Sequence, residues 1–560
     1  MNNADIAEHF SLLSKLMDIN GENTFKSKTY SIAAFHIEKL EYPLTETDRS
    51  SIAAIKGLGP SVAAKIIELL DTGSMATLQE FIENTPEGVR EMLRIKGLGP
   101  KKIHTVWKEM GIQSIGELEY ACNENRLTRY KGFGAKTQAN VLEAIQFYNQ
   151  NIGHFLYAQV ATIYPSIQGY LENLFGKEKV LNTGDYRRQL LTIKELEFII
   201  AETKENIKPK FQTAYPPELL EDNENSILYK LTNGLKLRLY PAKENIFAKQ
   251  FLTSCSESFR EEFFARYNKE IFDTRSYSSE PEIFEKAGLP YIVPYLRESP
   301  AIIERAQQHE LPKVIQVSDI RGIIHNHSNW SDGINTIEEL ANDLIKNKFE
   351  YLVMSDHSKT AAYANGLSEE KIMQQHQYID ELNKKLAPFK IFKSIESDIL
   401  NDGSLDYSDE VLKTFDLVIA SVHSNLYMSE EKAMQRLMRA IENPYTTILG
   451  HPTGRLLLSR NGYPIDHKKI IDACAANNVV IEINANPHRL DLDWKWIPYA
   501  LEKNVLLSIN PDAHSIDGLY DIKYGVLASQ KGGLTASQNL SSFGLSQFES
   551  YLGKIKAAKL

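Results

Sequence analysis

Between residues 322 and 514 one pattern recurs seven times. A short apolar run ends in a polar, ligand-type residue, and a helical stretch follows. The runs are 322–327, 350–357, 389–398, 415–423, 446–451, 479–486 and 505–514. Runs this uniformly apolar predict strands buried on both faces. Their alternation with amphipathic segments such as INTIEELANDLIKNK predicts a parallel sheet covered by helices. Six of the seven runs end in His, Asp or Glu. Polar side chains at the C-terminal end of strand after strand predict a TIM-like barrel with its chemistry at that mouth, here with seven strands instead of eight. His325 and His327 are two apart, a spacing that puts both imidazoles on one face of a strand, and Asp332 follows from the loop.

Composition narrows what surrounds this barrel. A chain of 560 residues exceeds one ordinary core, so two to four domains are expected. Three scattered cysteines, Cys122, Cys255 and Cys474, form no CxxC and fit a reducing cytoplasm. No apolar run reaches membrane-spanning length, and the first residues read as an amphipathic segment and not as a signal peptide. The net charge of −10 requires any nucleic-acid contact to rest on locally concentrated positive charge. Nine of the 14 histidines lie from His325 onward, which points to metal or phosphate chemistry in the last third.

The first third carries a repeat. IKGLGP at 55–60 recurs at 95–100, and YKGFGA at 130–135 is a weaker third copy, each between helical patterns. Gly57, Gly97 and Gly132 suit a backbone conformation that a Cβ would penalise, while Gly59, Gly99 and Gly134 permit close approach. Free N–H groups at the following helix starts, with Lys56, Lys96, Lys101, Lys102, Lys131 and Lys136 nearby, make a cradle for phosphates that reads backbone and not bases. The alternative is a set of helical hairpins that need glycine only to turn.

These repeats resemble the helix-hairpin-helix motif, and residues 4–148 resemble the N-terminal region of family X DNA polymerases. The resemblance continues into the middle third, where it implies an α/β nucleotidyltransferase palm. There the family has a Gly-Ser turn followed by two arginines, two aspartates two apart on a strand, and a third aspartate on its neighbour. This chain reads Gly184-Asp185-Tyr186-Arg187-Arg188, then Glu195 and Glu197, and Lys236 at the third position. Asp185 would repel a triphosphate and Lys236 cannot bind a cation, so the substitutions argue against magnesium at the palm.

The last third resembles the PHP (polymerase and histidinol phosphatase) domain through His325-Asn326-His327, Ser331-Asp332-Gly333, Ser355-Asp356-His357, Ser421-Val422-His423, Gly450-His451-Pro452 and Asp512-Ala513-His514, with Glu396 as the remaining acid. The resemblance implies two to three divalent ions. One would take His325, His327, Glu396 and Asp512. A second would take Glu396, His423 and His451, and a third Asp332, His357 and His514. Mixed imidazole and carboxylate donors suit zinc, manganese or iron. Glu396 and Asp512 are the expected catalytic carboxylates, and Arg455 and Arg489 are expected to fork onto phosphate oxygens.

The expected architecture is therefore multidomain. A helix-hairpin-helix domain spans 1–80 and a second such region 81–150. A palm and thumb follow at 151–300, a linker at 301–317 and a distorted (β/α)7 barrel at 318–560. The expected function is a cytoplasmic, monomeric DNA-repair enzyme that acts as a metal-dependent 3′–5′ exonuclease on gapped or primer–template DNA, without sequence preference. The alternatives are an active gap-filling polymerase with barrel editing, and a small-molecule phosphatase resembling histidinol phosphatase.

Overall fold

The computed structural model describes residues 1–559 apart from 41, 125, 212–216, 275 and 427. The chain divides into two compact units, Met1–Ile152 and Gly153–Leu560.

The first unit is helical. Its opening helix, Asn3–Asn20, starts at a reciprocal cap between Asn2 and Asp5 and ends at Gly21 in the left-handed region. The three repeats adopt one geometry. A 3₁₀ turn (Arg49–Ala54, Met92–Arg94 or Leu127–Arg129) leads into a glycine with φ of 88°, 81° or 92° at Gly57, Gly97 and Gly132. The second glycine then caps the helix Pro60–Thr72, Pro100–His104 or Ala135–Asn151. Between each glycine pair the residue that fits the core is apolar and buried: Leu58, Leu98 and Phe133. Burying that one side chain on a two-glycine turn leaves the backbone of the turn facing outward. A Cβ added at Gly59, Gly99 or Gly134 would meet nothing within 4 Å.

The second unit begins with a two-stranded pair, β1 (Phe155–Leu156) with β3 (Thr192–Ile193). A five-stranded sheet follows in the order β2-β4-β7-β6-β5. Its strands are β2 (Val180–Thr183), β4 (Glu195–Ile200), β5 (Glu218–Asp222), β6 (Ile227–Lys230) and β7 (Lys236–Pro241). Strands β4 and β7 run parallel, with Glu195 opposite Lys236. Leu196, Phe198, Leu237 and Leu239 alternate with these polar residues and fill the core, which leaves the acids on the other face. An aromatic cluster around Phe251, Phe259, Phe263 and Phe284 forms the next core. The segment expected as linker does not begin at residue 301. The helix Ala301–Gln307 buries Ile302, Ile303 and Ala306 in that aromatic core.

The remaining strands, β8 (Gly322–Ile323), β9 (Tyr351–Met354), β10 (Lys390–Asp398), β11 (Leu417–Ser421), β12 (Thr446–Leu449), β13 (Val480–Asn484) and β14 (Leu507–Asn510), pair in parallel in sequence order. The sheet nearly closes. Asp512 N–H donates to His325 O at 2.9 Å, and His327 N–H donates to Ala513 O at 2.8 Å. One set of strand residues packs against helices such as Ile337–Lys346. The alternating set, including Val353, Phe392, Ile419 and Ile448, packs with Leu540, Phe548 and Leu552 of the C-terminal segment. Lys556 and Lys559 of that segment donate to carbonyls at the strand starts, Phe415 O and Thr446 O. The C-terminal helix Leu545–Lys559 thus plugs the N-terminal end of the barrel and leaves the C-terminal mouth for chemistry. Among the described residues no helix is long and apolar enough to cross a membrane.

Candidate metal centre

Of the expected ligands, Glu396 alone stands within a regular strand; the others lie past the strand ends. Strand β8 ends at Ile323, and His325 has φ of 64°. Asp512 has φ of 53° and His451 of 21°. Each of these three leaves its strand by a left-handed residue, a conformation that costs energy for a side chain with a Cβ and marks functional sites. The turn swings the side chain off the sheet and into the mouth. The two-residue spacing therefore brings His325 and His327 together, with ring centroids 5.5 Å apart, through a turn and not through strand pleat.

All nine expected ligands converge there. Glu396, fully buried at the end of β10, is the hub. Its Oε1 lies 3.1 Å from Nε2 of His325, of His423 and of His451. Its Oε2 lies 2.9 Å from His357 Nδ1 and 3.7 Å from His327 Nε2. Asp512 Oδ1 is 3.1 Å from His327 Nε2. Asp332 Oδ1 is 3.7 Å from His357 Nε2 and 3.5 Å from His514 Nε2. Three groups bring ligand atoms within 4.8 Å of one another: His325, His327 and Asp512; His357, Glu396 and His423; and His327, Asp332, His357 and His514. Relative to the expected sets, His327 and His357 each stand between two groups.

The donors fit metal ions on a further observation. His327 Nδ1 and His451 Nδ1 are buried without a hydrogen-bond partner, and the approaches of His325 Nε2 and His357 Nδ1 to Glu396, at 3.1 and 2.9 Å, lack hydrogen-bond geometry. Unpaired buried polar atoms are costly, and so many at one mouth indicate groups shaped for a cation. Burial would raise the Glu396 carboxyl, but the imidazoles of His423, His325 and His357 hold it well below the usual carboxylate range. Burial, His357 and His514 push His327 down to about 3, which leaves its imidazole neutral near pH 7.

Supporting groups to which the sequence assigned no role complete the site. Glu482 accepts from His325 Nδ1 at 2.6 Å and is itself held by Asn510 at 2.8 Å. Asp398 lies 2.5 Å from His423 Nδ1. Such carboxylate–imidazole pairs fix the ring and raise its basicity toward a metal. The signals were present: Glu482 is the one acid in the apolar run VVIEIN, and Asp398 stands two residues past Glu396 on the same strand face.

The two arginines part company. Arg489 lies at the mouth, with Nε 3.4 Å from Asp512 Oδ2. Arg455 does not offer a phosphate fork. Its guanidinium is engaged by Asp493 at 2.5 Å, by Arg489 O at 3.0 Å and by Leu490 O. With its donors turned to these acceptors, Arg455 holds the loop that carries Arg489.

The palm acids are not arranged for a cation. Arg238 takes Glu195 in a two-point ion pair at 2.5 and 3.1 Å. Tyr240 donates to Glu197 at 2.8 Å, and Asp185 N–H donates to it at 3.2 Å. Glu197 lies so close to Gly184, which has φ of 68°, that a Cβ there would fall 1.8 Å from the carboxylate. Arg188 is bound to Glu298 at 2.6 Å and also lies 3.5 Å from Asp185. Burial pushes Glu197 up to about 7. An acid whose folded pKa is raised costs stability as pH climbs from about 4.5 to 7, and the cost persists above that window. We therefore expect Glu197→Gln to raise the stability of the full chain at pH 8 by roughly 2–3 kcal/mol, with the gain fading toward pH 4. Denaturant titrations at the two pH values measure it, and a loss of stability at pH 8 would refute the argument.

Hairpins ahead of a palm-like sheet, and a barrel whose mouth gathers histidines and carboxylates, define a DNA-polymerase-like chain with a metallophosphoesterase barrel. Comparison with known proteins agrees. Residues 1–75 match a helix-hairpin-helix domain, 89–146 a SAM-like helix-hairpin-helix tandem, and 324–486 the PHP domain. The chain is 33% identical to the DNA polymerase/3′-5′ exonuclease PolX of Bacillus subtilis (strain 168), over 99% of both chains. A probable phosphatase of Thermoanaerobacter sp. (strain X514) is 30% identical over 29% of this chain and 62% of its own length. One from Acetivibrio thermocellus is 25% identical over 29% and 63%. The chain belongs to the family X DNA polymerases that carry a C-terminal PHP domain.

Proposed function

We propose that this chain is a DNA-repair exonuclease, which grips duplex backbone through its hairpins and removes nucleotides from 3′ ends at the barrel mouth. The observation that carries the reading is the convergence of nine imidazole and carboxylate side chains on one mouth. Two to three divalent ions (zinc, manganese or iron) would be held by His325, His327, Asp332, His357, Glu396, His423, His451, Asp512 and His514. Bound there, they would polarise the phosphate and supply a nucleophile near neutral pH. Arg489 would orient a phosphate oxygen beside Asp512, and Glu482 and Asp398 would keep His325 and His423 aimed inward. The name of the Bacillus subtilis relative pairs polymerase with 3′–5′ exonuclease, and the second activity is the one that this chain's residues support. Glu195 and Glu197 are engaged by Arg238 and Tyr240, and Lys236 stands where a third carboxylate would be needed. The palm at 151–300, which follows the hairpins (1–80 and 81–150) and precedes the barrel (318–560) in the chain, then serves as a spacer domain, in a cytoplasmic monomer that acts on gapped or primer–template DNA.

A labelled 3′-recessed primer–template incubated with Mn²⁺, with and without dNTPs, tests this. Shortening in both, stopped by chelator, is the expected result. Templated extension would overturn the reading of the palm. Intact DNA with turnover of a small phosphate monoester would favour a phosphatase. For the hairpins, exposed Lys101 follows Gly99 and Pro100. Lys101→Ala should weaken binding equally for unrelated DNA sequences and lower the salt dependence of log K by about one phosphate contact. Fluorescence anisotropy across a salt series measures both, and a sequence-dependent loss would contradict a backbone role.

A further inference from the structure

The loop that leaves β9 carries His357 and continues to residue 366. It is pinned on both flanks. On one side Lys359 N–H donates to the Tyr407 hydroxyl at 3.0 Å, Thr360 N–H donates to Asp406 at 2.7 Å, and the Thr360 hydroxyl lies 2.8 Å from Asp398 and 2.9 Å from Asp406. On the other side Asn365, with φ of 54°, donates to Trp330 O at 3.2 Å and is held by Lys371 Nζ at 3.0 Å. Between the pins lies one 3₁₀ turn, Ala362–Ala364. Ala361 and Ala364 are buried, whereas Tyr363 is 74% exposed.

A lone exposed aromatic is ordinary. This one is held by a fixed loop with its ring centroid 6.3 Å from that of His357, a member of two of the three ligand groups. Core packing does not account for it, because the ring faces solvent. Its separation from His357 is about what one sugar spans between a phosphate and its base. An open cleft of 410 Å³ near this loop is lined by Asn329, Trp330, Thr336, Asn365, Lys371 and Tyr378.

We propose that Tyr363 is the stacking platform for the base of the 3′-terminal nucleotide, placing that nucleotide's phosphodiester at the metal centre. The proposal rests on the exonuclease reading above and names the part of the substrate that the mouth recognises. A ring face accepts any base, so the contact suits an enzyme without sequence preference.

Two measurements test it. In metal-stripped protein, where nothing is hydrolysed, a single strand ending in 3′ 2-aminopurine should lose fluorescence on binding. The quench should disappear in Tyr363→Ala and persist in Tyr363→Phe, with 5′-label anisotropy confirming that the strand is bound in each. With Mn²⁺, Tyr363→Ala should lower kcat/KM for an ordinary 3′ end roughly 10- to 100-fold, yet leave a 3′ abasic end at the wild-type rate. Equal loss on both ends would make Tyr363 merely structural and overturn the proposal, as would no loss on either or a bound strand without quenching. Wild-type protein that cleaves neither end would sink the exonuclease reading itself, a failure visible before any variant is compared.

Discussion

Glu396→Gln should reduce 3′–5′ hydrolysis by at least about a thousandfold, roughly 4 kcal/mol of lost transition-state stabilisation. The magnitude follows from position. Two carboxylate oxygens meet five imidazoles, with Oε1 serving His325, His423 and His451 and Oε2 serving His357 and His327. An amide keeps the shape but has one acceptor, presents N–H groups to ring nitrogens, and removes the negative charge that offsets the ions. Elemental analysis of the purified variant should register the loss of at least one metal equivalent relative to wild type. Circular dichroism checks that the barrel remains folded. Activity within tenfold of wild type would move the chemistry away from this mouth.

How much of this site was legible depended on whether the chemistry was local in sequence. His325 and His327, or Asp512 and His514, announce themselves because two ligand types fall two residues apart at a strand end. The fold was legible for the same reason, since apolar runs repeat at βα spacing. What escaped was the pairing of distant residues. Glu482 holds His325 across 157 positions, and no motif links them. Arg455 has the residue type of a phosphate fork, but its acceptors, Asp493 and the carbonyls of residues 489 and 490, are known only once the loop is folded. The strand ends were overextended because apolar residues continue past the last ladder bond, whereas the positive φ values at His325 and Asp512 have no sequence signature outside glycine. The palm was legible in its losses. Lys236 and Asp185 stand at positions where the family resemblance implies other chemistry. The replacement contacts, Arg238 with Glu195 and Arg188 with Glu298, arise only when distant segments fold together.

Glu280→Ala should destabilise the aromatic core around Phe251 and Phe284 by about 3–5 kcal/mol. Glu280 is 3% exposed and accepts from two guanidiniums: Arg187 at 2.8 and 2.6 Å, and Arg297 at 2.7 Å. Tyr291 adds a fourth bond at 2.7 Å. Arg297 is fully buried against Phe251, Phe284 and Tyr291, so truncating its partner strands a cation in an aromatic core. Arg187 belongs to the palm turn, so one carboxylate joins the turn to the helix Glu280–Lys286. Burial would raise Glu280, but Arg187 and Arg297 bring it down to about 2. An acid with a lowered folded pKa contributes stability that is full above about 4.5 and is lost as pH falls toward 2. The difference between wild type and Glu280→Ala should therefore be largest at neutral pH and narrow below pH 4. Hydrogen exchange in peptides covering 280–303 reads this region separately from the barrel, and at pH 7 those amides should exchange about a hundredfold faster or more in the variant. A stranded charge and a lost contact predict different rescues. Replacing both partners, Glu280→Leu with Arg297→Met, removes the buried cation and should recover part of the protection, because an apolar pair of similar volume pays no desolvation cost. If the double variant is no more protected than Glu280→Ala, unpaired charge is not the source of the loss.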